Sequence, residues 1–526
     1  MKYQQFLAGI TAVAVVFLGA SLLGHSRFLS HVLGVVNNQS RIKAPVPNNI
    51  VMASTNVSLA RPMKLAPYSI EDLVEMSSVF FKTFGILVYD PAGDDFLLLY
   101  NYQRHKWKDT SCAKLVSSFQ SLTNLLRKDF PERFRGPESP ELVIAIGGGD
   151  YPHLQGSCYQ NFPHISPDCT AKSAPILQFG SVYRYSEILP NMIAMPNPSH
   201  LICLLRWRST RVSSNCPPEF RQSGQNSELK FEDLIPQVIW RGKDFAYLLH
   251  LDNGLRRPYP DQDIESNINP GMGEMGVKTA AVNALTQLYD ILLPRWKGVV
   301  LTAKAELEAD RMRVDLSHHS SLPWVNIKFS EGTPPVYPTY YSDMAKFGIE
   351  ALGDYMHTTE LAKYKYQIDL GGGGGTTWTG TMQKLAMPGL LFHHLTPTKD
   401  YIHDWMQPWI HYIPVGEDLR DLREMFDWAE ANPQAAKMIS KNGSDLMRHM
   451  RSPEGLDEIY QQSFVEPVRR VIEAYLPVSV THPGLSWTDV LTSLEGDSWV
   501  TTWRCRGWGV KSCKRPKEAN TMDGGT

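Results

Sequence analysis

The sequence predicts an α/β protein built on parallel sheets. Short apolar runs that end in glycine recur along the chain, as in "PELVIAIGGGDYP", "PQVIWRGKDF" and "YKYQIDLGGGGG", the pattern of strands buried on both faces. Stretches with helical apolar rhythm alternate with them, which favours crossover connections over hairpins. The chain has 526 residues and is 43% hydrophobic, enough for full-sized cores and more than one domain.

Taken in order, Tyr3–Gly24 is uncharged and mostly apolar. At about 1.5 Å per residue a helix of that length spans the roughly 30 Å hydrocarbon core of a bilayer. A membrane anchor is expected, with a cleaved signal segment (1–24) as the alternative because Gly19, Ala20 and Ser21 offer small residues for cleavage. Residues 25–68 read as an extended stem. Ser69 and Asp72 open a helix, "GILVYD" and "DFLLLYNYQ" are strands, and Cys112–Phe130 is a helix. Strands are expected again in Pro140–Pro152, Pro236–Phe245, the stretch before the glycines Gly371–Gly375, and "MPGLLFHHL". "AAVNALTQLYDILL" is a further helix. Glu417–Met450 reads as two helices broken at Asn432-Pro433, with Gly443 a possible end. The expected organisation is an N-terminal lobe at 69–235, a second lobe at 236–450, and C-terminal helices with a tail at 451–526.

The formal charge is -2 with no long block of one sign, which argues against nucleic-acid binding. Seven cysteines include no CxxC. Cys158/Cys169, Cys203/Cys216 and Cys505/Cys513 are local pairs that form disulfides if the chain folds in an oxidising compartment, leaving Cys112; buried free thiols are the alternative. Asn38, Asn56 and Asn442 open N-glycosylation sequons.

Three stretches carry candidate chemistry. The glycine run lets backbone approach a ligand closely. Thr376, Thr377 and Thr379 add hydroxyls, a helix opening near Trp378 offers free N–H groups, and Lys384 adds a cation. A flexible joint is the plain alternative. Asp150 lies just past a buried strand, where a carboxylate serves as a general base or simply caps a turn. Arg241 ends another such strand, with donors suited to phosphate or to a structural ion pair. His393 and His394 are neighbours on a strand and so face opposite sides. The acidic Asp261–Asp263 stretch lies in a Pro-rich loop, so no metal site is expected.

Together "GDYPH" (Gly149–His153), "IWRGK" (Ile239–Lys243), "YKYQIDLGG" (Tyr364–Gly372), "QPWIHYIPV" (Gln407–Val415) and the helices that follow resemble glycosyltransferase family 90, the protein O-glucosyltransferase and capsule xylosyltransferase type. The resemblance spans residues 140–450. It implies a GT-B fold, two Rossmann-like lobes facing a cleft, behind an N-terminal membrane helix. It implies an inverting, metal-independent transfer of glucose or xylose from a UDP-sugar to a hydroxyl of a protein or glycan. The compartment implied is the lumen of the Golgi or endoplasmic reticulum. By the same resemblance Asp150 is the base, Arg241 with Gly242 holds the donor diphosphate, and Gly374, Gly375, Thr376, Thr377, Trp378, Thr379 and Lys384 line the nucleotide-sugar site. Two positions depart from the family pattern. Gly149 stands where an arginine is common, and Thr379-Gly380-Thr381 stands where a basic residue usually follows the glycine bend. A catalytically inactive sugar-binding or interaction protein on the same fold is the alternative. A glycoside hydrolase would need a second carboxylate, for which Glu308 and Asp310 are the nearest choice.

Overall fold

Among the described residues there are fifteen strands, six of them where the apolar runs predict strands, and all but two build two sheets of different character. The computed structural model describes residues 64–77, 84–101, 109–149, 174–182, 192–196, 229–248, 264, 268–269, 271–316, 322–332, 335–377, 379–496, 499–506 and 513–514. The Tyr3–Gly24 segment, the stem up to residue 63, the Cys158/Cys169 and Cys203/Cys216 pairs and two of the three sequons lie outside them. All described residues belong to one compact unit, Val46–Thr526. Among them no helix is long and apolar enough to cross a membrane.

The first sheet contains β1 (Phe84–Asp90), β2 (Asp95–Asn101), β3 (Leu142–Gly147), β4 (Ile176–Gln178) and β6 (Met192–Ala194). β5 (Ser181–Val182) stands apart from it. β1 pairs antiparallel with both β2 and β3, whereas β3, β4 and β6 run parallel. The expected all-parallel lobe is therefore a mixed sheet. The reason is local: Pro91-Ala92-Gly93-Asp94 makes a tight turn, with Asp94 in a left-handed conformation at φ 48°, so β1 and β2 close as a hairpin.

The second sheet holds β7 (Ile235–Gly242), β8 (Val325–Ser330), β9 (Leu352–Gly353), β10 (Tyr364–Asp369), β11 (Leu390–His394) and β13 (Ile413–Val415). Its order is β13-β11-β10-β7-β8-β9, and its ladders are parallel. This is a Rossmann-like arrangement. β12 (Thr398–Lys399) pairs with β5 in a two-stranded ribbon, and β14 (Trp499–Arg506) with β15 (Cys513–Lys514) extends the first sheet beyond β2. Cys505, on β14, is disulfide-bonded and lies directly across from Cys513 in the ladder. Cys112 is a buried free thiol.

Each sheet has its own core. One gathers Leu87, Phe96, Ile144 and Phe464; the other gathers Val238, Trp296, Ile327 and Phe392. The helix Pro433–Met450 joins them, with Ala436 and Ile439 in the second core and Met447 and Met450 in the first. The break before it falls at Asn432-Pro433 as expected. Gly443 does not end this helix. It lies inside it, where a Cβ would sit 2.8 Å from the carbonyl oxygen of His411. Asn442 is buried within the same helix, so that sequon has no room for a glycan in the folded chain. The helix Pro294–Leu316, between β7 and β8, has no counterpart in the sequence reading.

Candidate functional site

The second sheet has a topological switch point. From β7 the chain builds outward to β8 and β9, then returns to the other flank of β7 and builds β10, β11 and β13. In open parallel sheets the crevice beyond the carboxyl ends of the two strands at such a point is where ligands bind. Here those ends are Arg241-Gly242-Lys243 and Leu370 with the glycine run.

The glycines make a folded loop. The Gly371 N–H donates to Nδ1 of His394 (3.1 Å), that of Gly372 to the Thr376 carbonyl (3.2 Å), and that of Gly375 to the Gly372 carbonyl (2.9 Å). The Gly374 carbonyl accepts from Oγ1 of Thr398 (2.8 Å). Gly375 has φ +83°, and a Cβ there would lie 2.1 Å from Oγ1 of Thr398. A Cβ on Gly371 would lie 2.5 Å from the Gly375 carbonyl oxygen. The run is thus a tight bend held at both ends, not a slack joint. Leu248 (φ 49°) and Leu419 (φ 59°), which follow β7 and β13, also adopt left-handed conformations, a strain that clusters at ligand sites.

Under the bend lies a buried polar network. Asp369, the last residue of β10, is fully buried. It accepts from Nδ1–H of His393 (2.8 Å), the His394 N–H (3.0 Å) and Oγ1 of Thr381 (2.6 Å), with Thr377 Oγ1 further off at 3.4 Å. Burial pushes its pKa up, but His393, Lys384 and Thr381 outweigh that, so the carboxyl is held below the usual range and ionised. His394 takes the Gly371 proton on Nδ1 and donates from Nε2 to the Glu417 carbonyl (3.0 Å). Both bonds require the neutral Nε2–H tautomer, and burial lowers its pKa to about 4. His393 and His394 therefore serve different partners, as expected for neighbours on a strand.

Two cations border the bend. Lys384 is half-buried, with Nζ 3.4 Å from the Gly380 carbonyl. Burial lowers its pKa, Asp369 opposes that, and Arg295 adds to the lowering. Arg295 comes from the first turn of Pro294–Leu316 and is buried. Its Nη2 donates to the Leu370 carbonyl (2.8 Å) and its Nη1 to the Lys243 carbonyl, so one guanidinium ties the exits of β7 and β10 together. Trp240 and Phe245 flank it at 5.1 and 5.9 Å. Burial draws its pKa down to about 10, with Asp244 opposing.

Of the residues the sequence singled out, Asp150 and Trp378 lie outside the described residues. Arg241 and Gly242 sit at the carboxyl end of β7, but Arg241 Nη1 donates to the carbonyls of Trp240 (2.9 Å) and Asn326 (3.0 Å). The Asn326 bond directs it toward β8. Gly374, Gly375, Thr376 and Thr377 form the bend. Thr379 starts the helix Thr379–Leu385, which carries Lys384. That helix is only seven residues long, so its terminus supplies little of the field a long helix would. Glu308 pairs with Arg423 and Asp310 with Arg313, which makes them surface ion-pair partners. Asp261–Asp263 lie outside the described residues. Sequence reading missed Asp369, Arg295 and Glu417. The signal for Arg295 was slight: Pro294 at a helix start followed by a basic residue.

Comparison with known proteins bears on this segment. Residues 336–461 match the family model of glycosyl transferase family 90. The chain is 30% identical over 130 residues to protein O-glucosyltransferase 2 of Danio rerio, covering 24% of this chain and 23% of that protein. It is 32% identical over 105 residues to protein O-glucosyltransferase 3 of Homo sapiens, 20% of each chain. It is 31% identical over 98 residues to protein O-glucosyltransferase 1 of Rattus norvegicus, 18% of this chain and 24% of that one. The similarity thus spans about a quarter or less of each relative's length. The family match holds the glycine bend, Asp369, Lys384 and both histidines; Asp150, Arg241 and Arg295 fall before it. The resemblance read from the sequence is borne out over residues 336–461, the segment that matches glycosyl transferase family 90.

Proposed function

We propose that this chain is an inverting glycosyltransferase that moves glucose or xylose from a UDP-sugar to a hydroxyl of a protein or glycan. The observation that carries the reading is the switch-point crevice. A glycine bend bordered by Arg295 and Lys384 sits there, and the bend falls inside the family match. The relatives are named protein O-glucosyltransferases, and glucose transfer to a protein side chain is the form of the reaction we favour.

In this reading Asp150 takes the proton of the acceptor hydroxyl, whose oxygen attacks the anomeric carbon as the bond to the diphosphate oxygen breaks. UDP departs with its negative charge, and cationic groups of the crevice stabilise that charge without a divalent ion. The GT-B arrangement places the acceptor lobe opposite the crevice. The disulfide at Cys505 suits an oxidising lumen, with the N-terminal segment as membrane anchor in the Golgi or endoplasmic reticulum.

The test is titration of the full chain with a panel of nucleotide sugars in EDTA, followed by a transfer assay. Binding of one UDP-sugar without metal is expected. Asp150→Asn should keep donor binding and lose transfer by about 10²–10⁴-fold. Absence of any nucleotide-sugar binding would favour the inactive, interaction-only protein.

A further inference from the structure

We propose that Arg295, acting with Lys384, is the diphosphate seat of the crevice, and that the anion it takes is the diphosphate of a nucleoside diphosphate. The inference rests on the nucleotide-sugar reading above and deepens it by naming a residue that the sequence motifs do not include.

Four observations converge. Arg295 lies at the floor of the switch-point crevice, bonded to the carbonyls that end β7 and β10. Among the described residues it has no ion-pair partner, and its Nε is buried without a hydrogen bond. A guanidinium taken out of water demands a counter-charge; the carboxylate whose charge favours it, Asp244, makes no ion pair with it and is bound to the Val336 and Tyr337 N–H groups. Arg295 also stands in the first turn of a 23-residue helix that has no acidic residue there, with Lys297 beside it. Cations at a helix N-terminus oppose the helix dipole, and an anion in front of them removes that cost. Lys384 adds a second positive charge near enough for the two cations to repel each other. The nearby carboxylate, Asp369, already accepts from His393, the His394 N–H and Thr381. The two carboxylates that act on these cations, Asp369 and Asp244, are thus both engaged by other donors.

Gly372 explains how a ligand meets this charge. A Cβ at that position would stand 3.0 Å from Nη2 of Arg295, so glycine leaves the guanidinium uncovered on the side of the bend. Arg241 differs from Arg295 in place: its Nη1 reaches carbonyls of β7 and β8, and its guanidinium lies against Gly353 of β9, on the β8–β9 side of the sheet. It also accounts for the missing basic residue after the bend: Thr381 there is committed to Asp369, and the cation is supplied by a different helix.

The experiment is calorimetric titration of the full chain with uridine, UMP, UDP and inorganic pyrophosphate in EDTA, for the wild type, Arg295→Lys and Lys384→Gln. Charged hydrogen bonds set the scale. Arg295→Lys should weaken UDP and pyrophosphate by about 10- to 100-fold while uridine binds as before. Lys384→Gln gives up a long contact to Gly380 and its charge beside Asp369, which keeps its hydrogen bonds to His393, His394 and Thr381; it should weaken the same two ligands by about 10-fold. Variants that bind UDP and pyrophosphate as tightly as the wild type overturn the seat and leave the donor reading standing. A wild type that binds none of the phosphate-bearing probes overturns both. Equal loss of uridine and UDP in Arg295→Lys, with Lys384→Gln unchanged, shows a purely structural clamp and also overturns the proposal.

Discussion

His394 is the residue on which the bend depends, and its protonation state makes a testable link to pH. Its two bonds need the neutral ring: a proton on Nδ1 would set two donors, the ring and the Gly371 N–H, against each other. Burial lowers its pKa to about 4, and that of His411 to about 4 as well, against about 6.5 in an unfolded chain. Between those values the unfolded state binds more protons, so stability is full above pH ~6.5 and falls as pH drops toward 4. Asp421 opposes this with a pKa raised to about 6 by burial, since its folded form takes up a proton in the same window. Burial lowers the pKa of His403, but Asp400 beside it outweighs that and raises it, so His403 acts above pH ~6.5. Between pH ~6.5 and about 4 the two lowered histidines therefore stand against Asp421 and a net fall remains. Thermal melts from pH 7 to 4 should show a declining midpoint, and His394→Gln should reduce the slope. A flat profile would mean that the histidines are not held neutral. None of this was legible in the sequence, where the two adjacent histidines showed only that they face opposite sides. Arg295 was hidden for a related reason: its partner Leu370 lies 75 positions away, and its role exists only once β7 and β10 are neighbours.

The elements were easier to read than the contacts. β3, β7 and β10 were visible because a strand buried on both faces must be apolar along its length. The break at Asn432-Pro433 was visible because proline restricts the residue before it. Pro294–Leu316 went unread because its first half is buried around most of its circumference and its second half is charged, so no single apolar stripe repeats. The antiparallel start of the first sheet was missed because apolar runs do not encode direction. The glycine run raised a question of number that its geometry answers by position. Gly375 needs a positive φ and has a hydroxyl where a Cβ would go, whereas a Cβ on Gly373 would meet nothing closer than the Ala246 carbonyl oxygen at 3.6 Å. Gly375→Ala should therefore destabilise the chain by about 1–3 kcal/mol and abolish nucleotide binding. Gly373→Ala should fall within about 0.5 kcal/mol of the wild type. Urea melts and UDP titration of both variants check this, and equal effects would show that the bend is not held as described.

At the scale of the whole molecule, the first sheet is not made by a contiguous piece of chain. β14 pairs with β2 across more than 390 positions, placing Trp499 opposite Asn101 and Arg506 opposite Asp95. Buried Asp95 takes Arg506 Nε at 2.9 Å. The C-terminal helices tie in from another side. Glu141, just before β3, is buried and accepts from the Val478 N–H (2.6 Å) and the Tyr475 hydroxyl (3.1 Å). Tyr68 exchanges backbone bonds with Ala474 and Leu476 (3.0 and 2.8 Å) and reaches the Val143 carbonyl with its hydroxyl (2.7 Å). A fragment of residues 64–235 keeps every strand from β1 to β6 and the Tyr68–Val143 bond, yet loses β14 and the partners Ala474, Tyr475, Leu476 and Val478. It would leave the apolar strand β2 as an open edge, a site for pairing between chains, and Glu141 buried without its donors, which costs about 1–3 kcal/mol per lost bond. Such a fragment should be insoluble or molten. Coexpression with residues 451–526 should recover soluble, paired material, because those residues supply β14 and the helical donors. Sedimentation and near-ultraviolet circular dichroism of the fragment alone and of the coexpressed pair decide the point. A fragment that folds cooperatively by itself would mean that the C-terminal segment decorates the first sheet rather than completes it.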